Sequence, residues 1–297
     1  MKKWMVLVAA LFTLTGIMSV GSSSASAPST PVHVFIDGVY QKDMRMVDNY
    51  VLIPLRDYAP NRLGYSFRDE DKTIEVFDFF GKLHELKSGE RSAVVGGKSI
   101  ELKTPVMVSE EGRTYVPLSY LAEYMGAQVH YKPAEKRVIV RTPLGQLKYD
   151  TLRRGALWYA RTMALELQQT YYGFPGGYNR PAIEPSGEGF TTRIYFPRGE
   201  ALRYLMEYRG LLTYVEIDED GIAVVRWVKD TLKDGVELGE RPAPFEETVY
   251  VEDRFMTDEF AYGIIDKDGN KQELGKRGRY YQIYMDPIGD EVRNAGK

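Results

Sequence analysis

Cysteine is absent from all 297 residues. That excludes disulfide staples, thiol nucleophiles, thiolate metal centres and a lipid anchor on cysteine, and it leaves packing alone to hold the fold. Histidine is scarce: His33, His84 and His130 are the only three. Each falls in or beside an expected strand, and none shows the short paired spacing of His metal sites. All three are expected on sheet surfaces, and no metal or cofactor is expected. No histidine follows His130, so the C-terminal half supplies neither a Ser-His nor a Cys-His pair. Strong charge is missing too. The formal net charge is −3, and removing Lys2 and Lys3 makes it −3 − 2 = −5. Such a chain has no general attraction to nucleic acid or to an anionic polymer.

What is present begins with a leader. Lys2 and Lys3 precede a mostly apolar run, Trp4 to Val20, interrupted by Thr13, Thr15, Gly16 and Ser19 and short for a membrane span. Ala25-Ser26-Ala27 has the form of a signal-peptidase site, with Ser23-Ser24-Ala25 as a second. Residues 1–27 read as a secretory signal, an uncleaved anchor being the rival reading. The mature protein is then expected to be secreted, extracellular or cell-wall associated, with no membrane span after cleavage. Tyrosine is abundant, at 22 residues, which without disulfides points to half-buried sheet faces.

Residues 32–141 carry a pattern twice. Val32 to Ile36 runs into Asp37-Gly38, and Ala93 to Val95 runs into Gly96-Gly97, both hairpin signals. A strand, short helix and strand follow in each copy. In the second, Thr114 to Val116 is β-prone and Pro117 suits the first turn of a helix. Leu118, Leu121, Ala122 and Met125 then share one helical face, and Gly126 ends it. Val51 to Ala59 and Leu63 to Phe67 form the weaker first copy.

Tyr115-Val116-Pro117-Leu118, the stop at Gly126-Ala127, Val129-His130-Tyr131 and Lys136-Arg137-Val138-Ile139-Val140 resemble the copper amine oxidase N-terminal-like domain, also called the stalk domain. Ile53-Pro54-Leu55-Arg56, Gly64-Tyr65 and Lys72-Thr73-Ile74-Glu75-Val76 resemble it a second time. The resemblance covers residues 32–141. It implies an antiparallel sheet curled around short helices, in proteins secreted or displayed by Gram-positive bacteria, often beside an unrelated partner domain. Two positions depart from the pattern. Ser119 replaces the Arg that the family usually has after Pro-Leu, which the first copy keeps as Arg56. Pro60 intrudes on the first helix, which is expected to be short, kinked or partly 3₁₀. No amine oxidase activity is implied. The family's oxidases do their chemistry in a separate, larger domain with three His ligands and a Tyr in a Thr-x-x-Asn-Tyr-Asp/Glu motif. Asn49-Tyr50, with Val47 and Val51 around it, does not fit.

The rest is expected to be an α+β domain over 151–297, reached through a connection at 142–150 where Pro143 and Gly145 break the pattern. One long helix from Thr151 to Gly173 carries Leu152, Ala156, Ala160, Met163, Leu167 and Tyr171 on one face. It packs against an antiparallel sheet that includes Phe190 to Phe196, the hairpin Leu211 to Val228, Thr248 to Val251, Phe260 to Ile265 and Tyr280 to Tyr284. Gly199 to Arg209 reads as a short helix. Asp218-Glu219-Asp220-Gly221 and Asp266-Lys267-Asp268-Gly269 read as turns rather than calcium loops.

The candidate binding residues are Tyr171, Tyr172, Phe174 and Tyr178, on a Gly-rich aromatic stretch beyond the helix. Packing under that helix is the competing reading for them. The sequence thus reads as a non-enzymatic surface protein whose stalk-like domain is a binding or spacer module, with a cell-wall polymer or another envelope protein as partner. The alternative is an envelope polysaccharide hydrolase using paired carboxylates among Glu184, Glu188, Asp218 and Asp258.

Overall fold

The structure is a computed structural model that describes residues 32–58, 63–171, 187, 190–233, 236–279 and 283–294. Val32–Lys297 form one compact unit. It is an α+β arrangement in which sheet predominates.

The first half contains β1 (His33–Ile36), β2 (Val39–Gln41), β3 (Arg45–Val47), β4 (Tyr50–Pro54), α1 (Leu55–Tyr58), β5 (Gly64–Arg68) and β6 (Thr73–Phe77). It continues with β7 (Leu83–Lys87), β8 (Ser92–Val95), β9 (Lys98–Glu101), β10 (Met107–Val108), β11 (Thr114–Pro117), α2 (Leu118–Tyr124), β12 (Gln128–Lys132) and β13 (Arg137–Arg141). These strands form three sheets, ordered β12-β13-β1-β2, β10-β11-β4-β3 and β5-β6-β7-β8-β9. Asp37 and Gly38, both at positive φ, close β1 onto β2 as the Asp-Gly signal foretells. One pairing departs from the expected antiparallel sheet: β1 runs parallel to β13. The inner faces enclose one core that includes Val34, Ile53, Val76, Leu86, Val116, Leu121 and Val140.

Helix α1 covers Leu55–Tyr58, and Pro60, expected to curtail it, lies outside the described residues. In α2, Leu121 and Met125 are buried as expected, but Ala122 is exposed and Tyr120 is buried in its place. The reason is a polar partner. Tyr120 donates its hydroxyl to His84 Nδ1 at 2.7 Å, and His84 Nε2 meets Asp78 Oδ2 at 3.2 Å. His84 is therefore no sheet-surface residue; it is wholly buried. Burial holds it below its ordinary pKa in spite of Asp78, so its neutral ring accepts from Tyr120 and donates to Asp78.

The junction departs from expectation. Residues 142–150 are not a loose connection: α3 (Pro143–Arg154) starts there. Thr142 caps it by accepting from Gly145 N at 2.9 Å, and Pro143 occupies the first turn, where its missing N–H costs least. Gly145 is present for close approach, because a Cβ there would lie 1.7 Å from Asp37 Oδ1. The single long helix is in fact two, since Gly155 is extended (φ −69°, ψ 173°) and α4 (Leu157–Glu166) begins afresh.

Beyond them lie β14 (Thr192–Pro197), β15 (Arg203–Tyr208), β16 (Leu211–Ile217), β17 (Ala223–Asp230), β18 (Glu237–Gly239), β19 (Thr248–Arg254), β20 (Glu259–Ile265) and β21 (Lys271–Gly278). They form one sheet ordered β18-β17-β16-β15-β14-β19-β20-β21, antiparallel throughout. The segment expected as a short helix at 199–209 is β15, because pairing on both sides with β14 and β16 outweighs its local helical spacing. Leu152 of α3 and Met163 and Ala164 of α4 pack on this sheet in a second core with Ile194, Phe196, Val215 and Val251. Residues 280–282 of the expected last strand lie outside the described residues, and Ile283 and Tyr284 are in no strand.

Candidate functional site

The two cores meet at the β16–β17 turn, Asp218-Glu219-Asp220-Gly221. Local chemistry makes this turn. Asp218 Oδ1 accepts from the N–H groups of Asp220 at 3.0 Å and Ile222 at 2.9 Å, and Gly221 takes φ 81°. Its remaining groups face the first half. Strand β13 is buried on both sides, with Val138 and Val140 in the first core and Ile139 meeting Phe35, Ile222 and Val224. Period two puts Arg137 and Arg141 on the same face as Ile139, so an apolar patch is flanked by two guanidiniums.

Those guanidiniums grip the turn. Arg137 Nη1 lies 3.0 Å from Asp218 Oδ2 and 2.9 Å from Asp220 Oδ2. Burial alone would lower its pKa, but Asp218, Asp220 and Glu135 outweigh that and hold it above its ordinary value. Three successive turn carbonyls accept from the segment that follows β12. Arg153 donates to Asp218 O at 2.8 Å, Tyr149 OH to Glu219 O at 2.8 Å and Arg141 to Asp220 O at 3.1 Å. The Arg141 guanidinium also stacks on the Tyr149 ring at 3.8 Å. Lys132 pairs with Glu219 and with Asp220. On the other flank, Asp37 accepts from Thr142 N at 2.9 Å and Thr142 Oγ1 at 2.7 Å, tying the β1–β2 turn to the start of α3. The cavity beneath, lined by Asp37, Arg141, Lys148, Tyr149 and Asp220 among others, measures about 40 Å³. That is room for about a water molecule, not for a substrate. Chemically the junction is a clamp.

Of the residues read as binding candidates, Tyr171 is buried at 8 % exposure in the second core, which is the packing role. Tyr172, Phe174 and Tyr178 lie outside the described residues, as do Glu184 and Glu188. Asp218 and Asp258 do not converge. The registers place Asp218 at the sheet end shared by Arg203, Pro197 and Thr248, whereas Asp258 follows β19 at the opposite end. Asp218 is also committed to Arg137 and two backbone N–H groups. His33 and His130 stay at or near the surface of the β12-β13-β1-β2 sheet, half-buried and exposed respectively. Among the described residues, no three His, Cys, Asp or Glu side chains stand close enough to hold a metal ion. No described helix is long and apolar enough to cross a membrane.

Sequence reading missed the clamp because Arg137 and Asp218 are 81 positions apart. One signal was available: a strand with Arg at both ends of a face whose centre is Ile139.

Residues 39–140 match the family described as copper amine oxidase N-terminal domain. The match is to the N-terminal domain of those oxidases and not to their catalytic domain. None of the curated proteins matches the chain.

Proposed function

We propose that this is an exported, non-enzymatic envelope protein built from two domains, residues 32–141 and 151–297, joined through the first turns of α3 at 142–150. The first serves as a stalk-like spacer or binding module made of two copies of one strand–helix–strand unit. The second meets the partner, a cell-wall polymer or another envelope protein. The observation that carries this reading is the match of residues 39–140 to a non-catalytic domain. The clamp supports it, since a spacer transmits position only if it does not hinge at its join. Ion pairs, capped helix and apolar patch together leave little freedom there. Export is supported by Lys2-Lys3, the apolar run and Ala25-Ser26-Ala27.

The test is a fractionation of producing cells, with N-terminal sequencing and a wall pull-down. The mature chain should start near Ser26 or Pro28, sediment with wall material and oxidise no amines. An intact Met1 form confined to the cytoplasm, or amine oxidation by the purified protein, would refute the proposal.

A further inference from the structure

A cleft of about 830 Å³ opens beside the clamp, on the sheet end that carries Gly199–Arg203 and the β16 exit. Its charged walls are Arg153, Arg203, Arg226 and Arg293 against Glu200, Glu216, Asp218 and Glu219. The formal charges cancel, but the hydrogen-bonding capacities do not.

The carboxylates nearest the sheet are already satisfied by the protein. Glu200 accepts from Arg203 with both oxygens, at 2.6 and 2.9 Å. Glu216 accepts from Tyr214 OH at 2.7 Å and from Arg226 Nε at 3.2 Å. Asp218 is spent on Arg137 and its own turn. The arginines keep donors in reserve. Arg226 bonds through Nε alone, so both of its Nη groups make no hydrogen bond among the described residues. Arg153 uses Nη2 on Asp218 O, while its buried Nε has no partner. A guanidinium has five N–H donors and no acceptor, so these donors stay open even with the carboxylate of Glu219 and the amide of Asn294 also on the cleft wall.

The backbone makes Arg226 available. The pairing of β16 with β17 passes from Tyr214↔Trp227 to Val215↔Val225, leaving Arg226 as the extra residue of a β-bulge. The bulge keeps Val225 and Val228 both in the core, three positions apart, and turns Arg226 outward between buried neighbours. An unbulged strand would not send 225 and 228 to one face.

We propose that this cleft binds an oxyanion-bearing ligand, a carboxylate or phosphate group whose oxygens complete the unused Nη donors of Arg226, with the Arg153 guanidinium as a second cation on the cleft wall. The volume lies within the range of small-ligand sites, so it admits a small polyanion or one repeat of an acidic polymer. The fork of Arg226 recognises either group by the same bidentate geometry. The inference goes beyond the reading above and does not depend on export.

Isothermal titration of the protein at low ionic strength tests it, with citrate and tripolyphosphate as probes and a neutral trisaccharide as control. At least one anion should saturate a single site per chain, the trisaccharide should give no binding, and Arg226→Gln should weaken the anion about tenfold or more. Arg226→Lys should also weaken it, because the charge stays but the fork is lost. Tighter binding of tripolyphosphate would identify a phosphate source, and tighter binding of citrate a carboxylate source. The melting temperature of each variant is measured alongside; Arg203→Gln serves as the second probe of the cleft if Arg226→Gln melts early. Absence of saturable binding by either anion, or unchanged affinity in a folded Arg226→Gln protein, would overturn the proposal.

Discussion

Arg137 and Arg226 both bind carboxylates of the β16–β17 hairpin, yet they do opposite things. The Arg137 side chain is 9 % exposed and lies against Asp218 and Asp220; that of Arg226 is 42 % exposed and touches Glu216 through Nε. The buried arginine has its charge matched in a place where an unmatched charge is very costly, so it fixes the join of the two halves. The exposed one is screened and only partly engaged, so its pair contributes little to stability and its free donors face a cleft. The same chemistry on one hairpin is structural where water is excluded and open to ligands where water enters.

Removing each arginine should expose that contrast. Arg137→Ala leaves Asp218 without its cation and Asp220 with Lys132 alone at a buried junction, and should lower stability by about 3–5 kcal/mol, measured by urea denaturation. A loss under about 1 kcal/mol would mean that the junction is effectively solvated.

Acid should act next most strongly, and through the first half. Burial lowers the pKa of His84, and burial together with Arg137 lowers that of His33, each from an ordinary value of 6.5. The unfolded chain takes up protons near 6.5 and the folded chain does not. The stability these rings contribute is therefore complete above about 6.5 and declines as the pH falls below it. Melting temperatures measured from pH 8 to 5 should show that onset. Arg137→Gln should soften the decline by removing the cation beside His33, and an unchanged decline would break the link between His33 and the clamp.

Tyr149→Phe is a finer probe. It keeps the ring under Arg141 and deletes only the bond to Glu219 O, so about 1 kcal/mol should be lost. Arg226→Gln should change stability least, by under about 1 kcal/mol, since its ion pair is exposed. A large destabilisation there would show that the bulge needs its guanidinium and would dissolve the contrast with Arg137.

Much of the scaffold was legible because its signals are local. Asp37-Gly38 marked a hairpin, and Leu211 to Val228 a strand pair around an acidic turn. The errors came where a distant group decided the outcome. Gly145 reads as a breaker, but its role is to admit Asp37, more than a hundred positions away in sequence. His84 reads as surface until Asp78 and Tyr120 are seen to satisfy both ring nitrogens. Arg203 to Tyr208 has helical spacing, and neighbours on both sides make it a strand. Of the candidate site, the turn was read correctly as a turn, whereas its grip on β13 and the bulge at Arg226 depend on pairings that no local window contains.

Scanning calorimetry of the protein, wild type beside Arg137→Ala, addresses the clamp most directly. If the turn joins the halves into one cooperative body, the wild type unfolds in a single transition with equal calorimetric and van't Hoff enthalpies, and Arg137→Ala separates it into two. Two independent transitions in the wild type, at temperatures that Arg137→Ala leaves unmoved, would contradict it.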